Sequence, residues 1–379
     1  MAIKVRINTA VIWGTIAQAW YPRRALAYSA TTARWWAVYA ETFLNNITVA
    51  YSDNNGLTWT EEVAVAGLAA FPNLAIVLVV DSTGIPHIIW VDYLVPMGFS
   101  NLIQYTNRVG GVWAAPVNLY NAGAANISNV VACIDSADTI HITFQDATSN
   151  YMARVGGVWG GLVITTGSYP GAIDINSTLL PHIVSEAGGP INMVRRVGGI
   201  WQAPEVISAA GWGESVSFDS SDNLHVAWID AGGGGDNIIK YRKRTAAGAW
   251  LATVDVIDDW DGTGVDALPP ILTVDIDGNV YIITQKDNWS GDDTVYYKKI
   301  TAAGGVGALS IFDAAITRPG GAASCYTGLF HGGSSSSLVA ASYHPLAIVL
   351  QNNGFDADGY FERQTIAPTV QTNPATEVY

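Results

Sequence analysis

The feature that most constrains the fold is a hexapeptide that the chain repeats. RVGGVW stands at residues 108–113 and again at 154–159, and RVGGIW stands at 196–201. A second block recurs upstream of these copies, as in IDSADTIHITFQD at 134–146 and FDSSDNLHVAWID at 218–230. Repetition at a period of tens of residues is typical of solenoids and propellers, in which each copy is one unit of supersecondary structure.

Each repeat has the pattern of four short β-strands. An apolar run, an Asp/Ser/Gly turn, an alternating run, a loop, a Tyr-to-Arg run and a Gly-Gly turn follow one another. Such turn residues tolerate positive φ, and four strands joined in this way form one blade of a β-propeller. The sequence therefore predicts an all-β protein, a single β-propeller of seven four-stranded blades, with six and eight blades as alternatives. The blades are expected at 24–65, 72–119, 127–165, 170–207, 214–257, 269–312 and 322–366.

The seven repeats use almost all of the 379 residues, so we expect one domain. The propeller should cover 24–366. Residues 1–23 form an N-terminal segment whose alternating AIKVRI could be the ring-closing strand, and 367–379 form an extended tail. The tryptophan after each Gly-Gly turn is expected to pack the outer edge of its blade against the neighbouring blade.

Composition limits the partners. Charged residues make up 13% of the chain and the formal net charge is -14, which argues against nucleic acid and anionic membranes, since both need a basic surface. The sequence shows neither a secretory signal nor an apolar run long enough for membrane insertion. So few charges favour contact with sugars or burial against other subunits, in a homo-oligomer or a larger assembly. We expect a virion or extracellular-surface component rather than a free cytosolic protein.

The stretch SDNNGLTW at 52–59 resembles the Asp-box, the repeat motif of sialidases and other bacterial neuraminidase repeat proteins. Asn54 occupies the aspartate position of that motif, with Asp53 beside it. The resemblance implies a sialidase-like β-propeller, in which the Asp-box is a folding element of the blade rim. Sialidase activity would also require three arginines that grip a carboxylate, and YPRRAL at 21–26 offers only a scrambled form of the first. The positions that match the motif are Ser52, Gly56, Thr58 and Trp59.

Two further positions recur in the upstream block. Four histidines are expected to be half-buried and to bond main-chain groups, because blades diverge too far to share a metal. Acids at the ends of the second strands should circle one face and accept hydrogen bonds from the loops they open, with a ring that binds cations or hydroxyls as the alternative. The histidines are His87, His141, His182 and His225, and the acids are Glu41, Asp92, Asp146, Glu186, Asp230 and Asp287.

Irregular stretches carry the candidate site, because insertions into a repeated scaffold are where function concentrates. WGES at 212–215, DAGGGGDN at 230–237, DDWDGTGVD at 258–266 and KDNWSGDD at 286–293 should all open on one face of blades 5 and 6. Indole faces stack on sugar rings, and carboxylates accept hydroxyl protons. The predicted ligand-binding residues are Trp212, Glu214, Asp230, Asp236, Trp260, Asp287, Trp289, Asp292 and Asp293.

The acids of 258–266 form a candidate metal site. Calcium takes six to eight oxygen ligands from flexible loops, although this spacing does not match an EF-hand. The alternative is that these acids only solvate their loops while the tryptophans cap the blades. The predicted calcium ligands are Asp258, Asp259, Asp261 and Asp266.

These features favour a non-catalytic recognition or structural propeller over an enzyme. It would bind a glycan or a protein surface through the loops of blades 5 and 6, as a virion, tail or cell-surface component does. The alternative is a sialidase-like glycoside hydrolase that acts on the same face.

Overall fold

The computed structural model describes sixteen parts of the chain, and every regular element in them is a β-strand. These strands form seven antiparallel sheets of four or five strands, each built from one sequence repeat. The all-β propeller predicted from the repeats is thereby confirmed. The described residues are 2–6, 25–41, 46–68, 76–94, 99–127, 129–165, 169–186, 189–231, 237–258, 266–267, 269–275, 277–287, 293–316, 328–329, 346–352 and 358–364.

The first four blades follow the chain from the innermost strand outwards. Blade 1 contains Leu26–Ser29, Arg34–Glu41, Asn46–Ser52 and Thr60–Val65. Blade 2 contains Ile76–Val80, Pro86–Leu94, Phe99–Val109, Val112–Trp113 and Val117–Asn121. Blade 3 contains Asn129–Ile134, Ile140–Gln145, Ser149–Val155, Val158–Trp159 and Val163–Ile164. Blade 4 contains Pro170–Ile175, Pro181–Glu186, Ile191–Val197, Ile200–Trp201 and Glu205–Ser208.

The last three blades include the first strand of the chain. Blade 5 contains Trp212–Phe218, Leu224–Ala231, Asn237–Arg244 and Val254–Ile257. Blade 6 contains Asp266–Ala267, Ile271–Val274, Val280–Asp287, Asp293–Ile300 and Ser310–Ile316. Blade 7 contains Gly328–Leu329, Leu346–Asn352, Asp358–Gln364 and, at its outer edge, Ala2–Arg6.

Ala2–Arg6 is antiparallel to Asp358–Gln364, so the two ends of the described chain share one sheet. The innermost strands of successive blades contact one another from blade 1 to blade 7. Pairing the first strand with the last replaces an exposed sheet edge by main-chain hydrogen bonds. The boundaries of the N-terminal segment and of the tail stay predictions.

The core lies between neighbouring blades; blade 2, for example, packs against blade 1 on one side and against blade 3 on the other. One cluster combines Val77 and Ile89 of blade 2 with Val130 and Ile142 of blade 3, all of them buried. Strands packed on both sides read as continuous apolar runs, as in the IVLVV of blade 2. Within the described ranges, no helix is long and apolar enough to span a membrane.

The repeated hexapeptide joins each blade to the one before it. Gly156 and Gly157 have φ angles of 54° and 87°, which a type I′ hairpin turn requires at both of its central positions. After this turn, the Trp159 ring meets the Tyr105 ring of blade 2 edge-on at 5.3 Å, and the Arg154 guanidinium lies 5.3 Å from the centre of the same ring. Trp201 and Arg196 of blade 4 hold Tyr151 of blade 3 in the same way.

The SDNNGLTW turn of blade 1 closes on itself. The Asn54 side-chain oxygen accepts hydrogen bonds from the Ser52 hydroxyl at 2.9 Å and from the Thr58 main-chain amide at 2.8 Å. The Ser52 hydroxyl also accepts the Gly56 amide, and the Trp59 indole donates to the Gly56 carbonyl. These contacts replace the main-chain pairing that the turn itself lacks, so the motif acts as a folding element of the rim.

Candidate functional site

The propeller has two faces that differ in construction. On the turn face, a short turn such as 135–139 joins the innermost strand of a blade to its second strand. On the loop face, the innermost strand begins and the second strand ends, as Trp212 and Ile229 do opposite each other in blade 5. Every residue at a strand end can be assigned to one of these faces from the strand register.

Three of the repeated histidines lie on the turn face in one buried arrangement. In blade 3, the His141 ring lies 3.0 Å from the Asp135 carboxylate through Nε2 and 2.6 Å from the Tyr151 hydroxyl through Nδ1. Blades 2 and 5 repeat these contacts. Their groups are Asp81, His87 and Tyr105 in blade 2, and Asp219, His225 and Tyr241 in blade 5.

The predicted main-chain bonding of the histidines was therefore wrong for these three, because the aspartate that opens each turn and a tyrosine of the third strand reach the ring first. It was right for His182, whose Nδ1 lies 2.9 Å from the Leu180 carbonyl oxygen. In that blade, Asn176 and Met193 stand where the other blades have aspartate and tyrosine.

Hydrogen bonding on the turn face strongly lowers the pKa of Asp81, the aspartate that opens the turn of blade 2. Burial raises the pKa of Asp81, but hydrogen bonds from His87 and Thr83 outweigh it and hold that pKa at about 2. The turns also bond between blades: Asp138 of blade 3 accepts the Ser82 amide and hydroxyl at 2.7 and 2.6 Å. These contacts stabilise the scaffold and leave the turn acids occupied.

The acids at the ends of the second strands differ in their contacts and in their burial. Asp146 accepts hydrogen bonds from the Thr148 amide and the Asn150 side chain, as expected for an acid that caps its loop. Asp230 instead pairs with Lys240 at 2.9 Å, and Asp92 is buried. The side chains of Glu41 and Asp287 lie outside the described residues.

Glu186 does not belong to this series of loop-face acids, so the predicted ring of six carboxylates is wrong at this position. It follows its histidine by four residues, whereas the acids of blades 2, 3 and 5 follow theirs by five. Successive side chains of a strand point to opposite sides of the sheet, so Glu186 lies on the other side from Asp146 and Asp230 in their blades. Its position matches Ile229 of blade 5, which packs towards the following blade.

Seven of the predicted site residues lie at least partly in the described chain, and all of them are at loop-face strand ends of blades 5 and 6. Trp212 begins the innermost strand of blade 5, and Asp258 follows the end of its fourth strand. Asp266 lies opposite Asp287 in blade 6, and Asp293 begins the next strand. Glu214 and Asp230 complete the seven. Outside the described residues are Asp236, Asp259, Trp260, Asp261, Trp289 and Asp292.

The stretch WGES was predicted as a loop, and this is wrong. Trp212–Phe218 is the innermost strand of blade 5, with a register shift between Trp212 and Ser215 that leaves Gly213 and Glu214 without partner residues. Gly213 has a φ of 68°, the conformation that a glycine supplies in one type of β-bulge. Gly213 lies in a bulge inside a strand, and a sequence pattern cannot distinguish such a bulge from a loop.

Glu214 is consequently buried completely. Neither of its carboxyl oxygens has a hydrogen bond to another described residue. Burial raises the pKa of Glu214 to about 8; its own main-chain amide lowers the pKa slightly, and the nearby charge of Glu186 raises it further. Sequence reasoning included Glu214 as an exposed ligand residue and missed its proximity to Glu186.

Trp212 is half-buried and packs against the cluster between blades 5 and 6. On the opposite side of the same sheet, the Lys240 ammonium links Asp230 to Asp255, at 2.9 and 3.6 Å. In the described part of the chain, no three His, Cys, Asp or Glu side chains converge as a metal site would need. The predicted calcium ligands are mainly outside that part, and Asp258 is exposed.

Comparison with known proteins identifies the fold. Neither a protein-family model nor a curated protein matches the chain. A solved PL25 ulvan lyase, a polysaccharide lyase, is 11% identical with a TM-score of 0.61 over 95% of each chain. A second polysaccharide lyase is 9% identical, with a TM-score of 0.58 over 95% of this chain and 94% of its own. YCF48 bound to a D1 peptide is 10% identical, with a TM-score of 0.52 over 96% and 94%.

This chain is a β-propeller. At such low identity, the likeness to these structures extends to the fold alone, since one fold hosts many functions. Its structural neighbours include two polysaccharide lyases.

Proposed function

We propose that this protein is a carbohydrate-binding β-propeller whose binding surface is the loop face of blades 4 to 6. The observation that carries the proposal is that Trp212 is half-buried at a loop-face strand end, on the end of blade 5 that also carries Asp230. An indole offers an apolar plane to a sugar ring, while carboxylates on either side accept its hydroxyl protons. Two polysaccharide lyases with this fold support carbohydrate as the ligand class.

A protein surface is the second candidate partner, and a separate observation favours it. Each hexapeptide turn exposes two aliphatic side chains, and the more exposed of the two on three adjacent blades is Val112 at 70%, Val158 at 71% and Ile200 at 69%. Such a repeated apolar row fits burial in an assembly, as in a virion, tail or cell-surface component. Light scattering over a range of protein concentrations tests this candidate, and a monomer at every concentration would count against a homo-oligomer.

The glycoside hydrolase alternative acts on the same loop face. Its sialidase form requires free arginines, but the described ones have structural contacts at the rim. Arg34 forms a two-pronged ion pair with Asp53, and Arg242 donates to the Leu251 and Ile207 carbonyls. A general acid must also reach the bond that it protonates, and Glu214 is wholly buried. We therefore propose carbohydrate binding as the main function and glycoside hydrolysis as the alternative.

A broad glycan array tests the proposed function, with the protein and a Trp212→Ala variant applied at equal concentrations. Asp230→Asn and Asp138→Asn form a matched pair, because the same change is made on the loop face and on the turn face. We expect Trp212→Ala to abolish binding, Asp230→Asn to weaken it about tenfold, the loss of roughly one charged hydrogen bond, and Asp138→Asn to leave it unchanged. Wild-type protein that retains no glycan would contradict the proposal.

Further experiments test the remaining predicted site residues and the enzyme alternative. Trp260→Ala and Trp289→Ala test the predicted residues outside the described chain, and Asp258→Asn with and without chelator tests calcium at 258–266. Incubation with sialosides and acidic polysaccharides, followed by analysis for shortened products, tests for an enzyme. Turnover that is absent from a Trp212→Ala preparation would establish the hydrolase alternative in place of simple binding.

A further inference from the structure

Glu214 occupies a position that is apolar in the other repeats. Counting back five residues from the aspartate or asparagine that opens each turn leads to Glu214 in blade 5. In blade 3, the same count leads to Val130, which is buried in the core between blades 2 and 3. The other residues at this position are Ile76, Gly171 and Pro270 in blades 2, 4 and 6. A carboxyl group here is thus a departure specific to blade 5.

The side chain of Glu214 faces blade 4. On the innermost strand of blade 5, Val216 and Phe218 pack into the cluster shared with blade 4, and Glu214 has their parity. On the second strand of blade 4, His182 meets Phe218 edge-on at 4.8 Å, and Val184 lies in the same cluster as Val216. Glu186 is the next residue of that parity, so it lies at the level of Glu214. The interface therefore ends, at the loop face, in two carboxyl groups.

Glu214 lacks the hydrogen-bond partners that buried carboxyl groups normally have. Both oxygens of Glu214 are without a hydrogen bond from another described residue, and an unsatisfied buried polar group destabilises the fold, more so when it is charged. The nearby charge of Glu186 adds repulsion and contributes to the raised pKa of Glu214. Asp135 on the turn face differs from Glu214, because His141 and the Thr139 main-chain amide are its hydrogen-bond partners.

We propose that Glu214 and Glu186 hold a calcium ion between blades 4 and 5 at the loop face. A hard divalent cation gives both orphaned oxygens of Glu214 a partner and turns the repulsion between the two carboxylates into shared attraction. Calcium accepts irregular sets of carboxylates, main-chain carbonyls and water, and the bulge at Gly213 interrupts the strand pairing beside Glu214. The site is separate from the acids of 258–266 and does not depend on the proposed glycan binding.

Terbium luminescence and calcium-dependent melting test this site. Terbium replaces calcium, and Trp212, two residues from Glu214, would sensitise its emission. We expect calcium-reversible emission and a calcium-dependent rise in Tm for the chelator-treated wild type. Glu214→Gln and Glu186→Gln should each weaken calcium binding at least about tenfold, the scale of losing an oxygen ligand. Asp255→Asn, an exposed acid on the outer strand of blade 5, should bind like the wild type.

Folding of the variants is measured separately. Glu214→Gln removes an ionisable buried group without changing the side-chain shape, so its Tm in chelator should equal or exceed that of the wild type. Wild-type protein that shows neither emission nor a Tm shift at millimolar calcium would overturn the proposal. Calcium binding that survives both glutamine substitutions but is lost in Asp258→Asn would overturn it in favour of the acids of 258–266.

Discussion

On the turn face, blades 2, 3 and 5 repeat one Asp–His–Tyr arrangement, whereas nearer the loop face blade 5 departs from blade 3 at Glu214. His141 and His225 have the same partners at nearly the same distances. Val130 and Glu214, at equivalent positions nearer the loop face, are an apolar core residue and an unpartnered acid. The comparison shows that the repeat retains the residues that fold a blade. Residues that differ from the repeat, such as Glu214, are the candidates for function.

The largest effect is expected from Gly211, which precedes the bulge of blade 5. A Cβ atom on Gly211 would lie 2.4 Å from the Trp228 ring and 2.8 Å from the Ile229 carbonyl, at a φ of 140°. Gly211→Ala should therefore lower the free energy of unfolding by about 4 kcal/mol. Gly123→Ala is the control, because that Cβ meets no atom and should cost only about 1 kcal/mol. Equal losses in urea denaturation would show that the bulge is not closely packed.

The next effect tests the turn face. His225→Ala leaves the Asp219 carboxylate and the Tyr241 hydroxyl buried without the ring that joins them, and we expect a loss of about 3 kcal/mol. His182→Ala removes one main-chain hydrogen bond and a ring contact, so a loss of about 1.5 kcal/mol is expected. Chemical denaturation of both variants measures the difference. A smaller loss for His225→Ala would contradict the scaffold role of the arrangement.

The pH dependence of stability tests the burial of His182. Burial lowers the pKa of His182 to about 4, so between pH 6.5 and 4 the unfolded chain binds a proton that the folded chain does not. Stability should fall as pH decreases through this window, by up to about 1.4 kcal/mol per unit from this group. His182→Gln should flatten that part of the curve. An unchanged slope between pH 6.5 and 4 would show that His182 is protonated without cost.

The smallest effect concerns the rim motif of blade 1. Asn54→Asp introduces the aspartate of the Asp-box that this turn resembles while keeping both acceptor roles of the side-chain oxygen, and the Thr58 hydroxyl can rotate to donate instead. We expect the free energy of unfolding to change by less than about 0.5 kcal/mol. Asn54→Ala should cost about 1 to 2 kcal/mol because two hydrogen bonds lose their acceptor. Thermal melting of both variants tests whether acceptor geometry, rather than charge, holds the turn.

The scaffold was predictable because it repeats. Gly156 and Gly157 indicated a hairpin turn, Trp159 indicated an inter-blade contact, and both were confirmed by the φ angles and the contact with Tyr105. The Asp–His–Tyr contacts were also detectable, since the aspartate lies six residues before the histidine in blades 2, 3 and 5. They were missed because the tyrosine comes from a third strand at a variable distance along the chain.

The candidate site was less predictable because it depends on exceptions. Gly213 gave WGES the composition of a loop, although it lies in a bulge beside which Glu214 turns into the interface. The shorter spacing from His182 to Glu186 was visible in the sequence, but its consequence follows only from strand parity and from the packing of blade 5. An isolated departure from a repeat has no second copy from which its geometry can be inferred.

The central claim is that the loop face of blades 4 to 6 binds carbohydrate while the turn face only holds the blades together. Hydrogen–deuterium exchange with and without the glycan selected on the array tests this directly. The account predicts slower exchange in peptides covering 184–192, 209–216 and 228–240, with no change in the turns at 81–87, 135–141 and 219–225. Protection confined to the turns, or spread evenly over both faces, would contradict it.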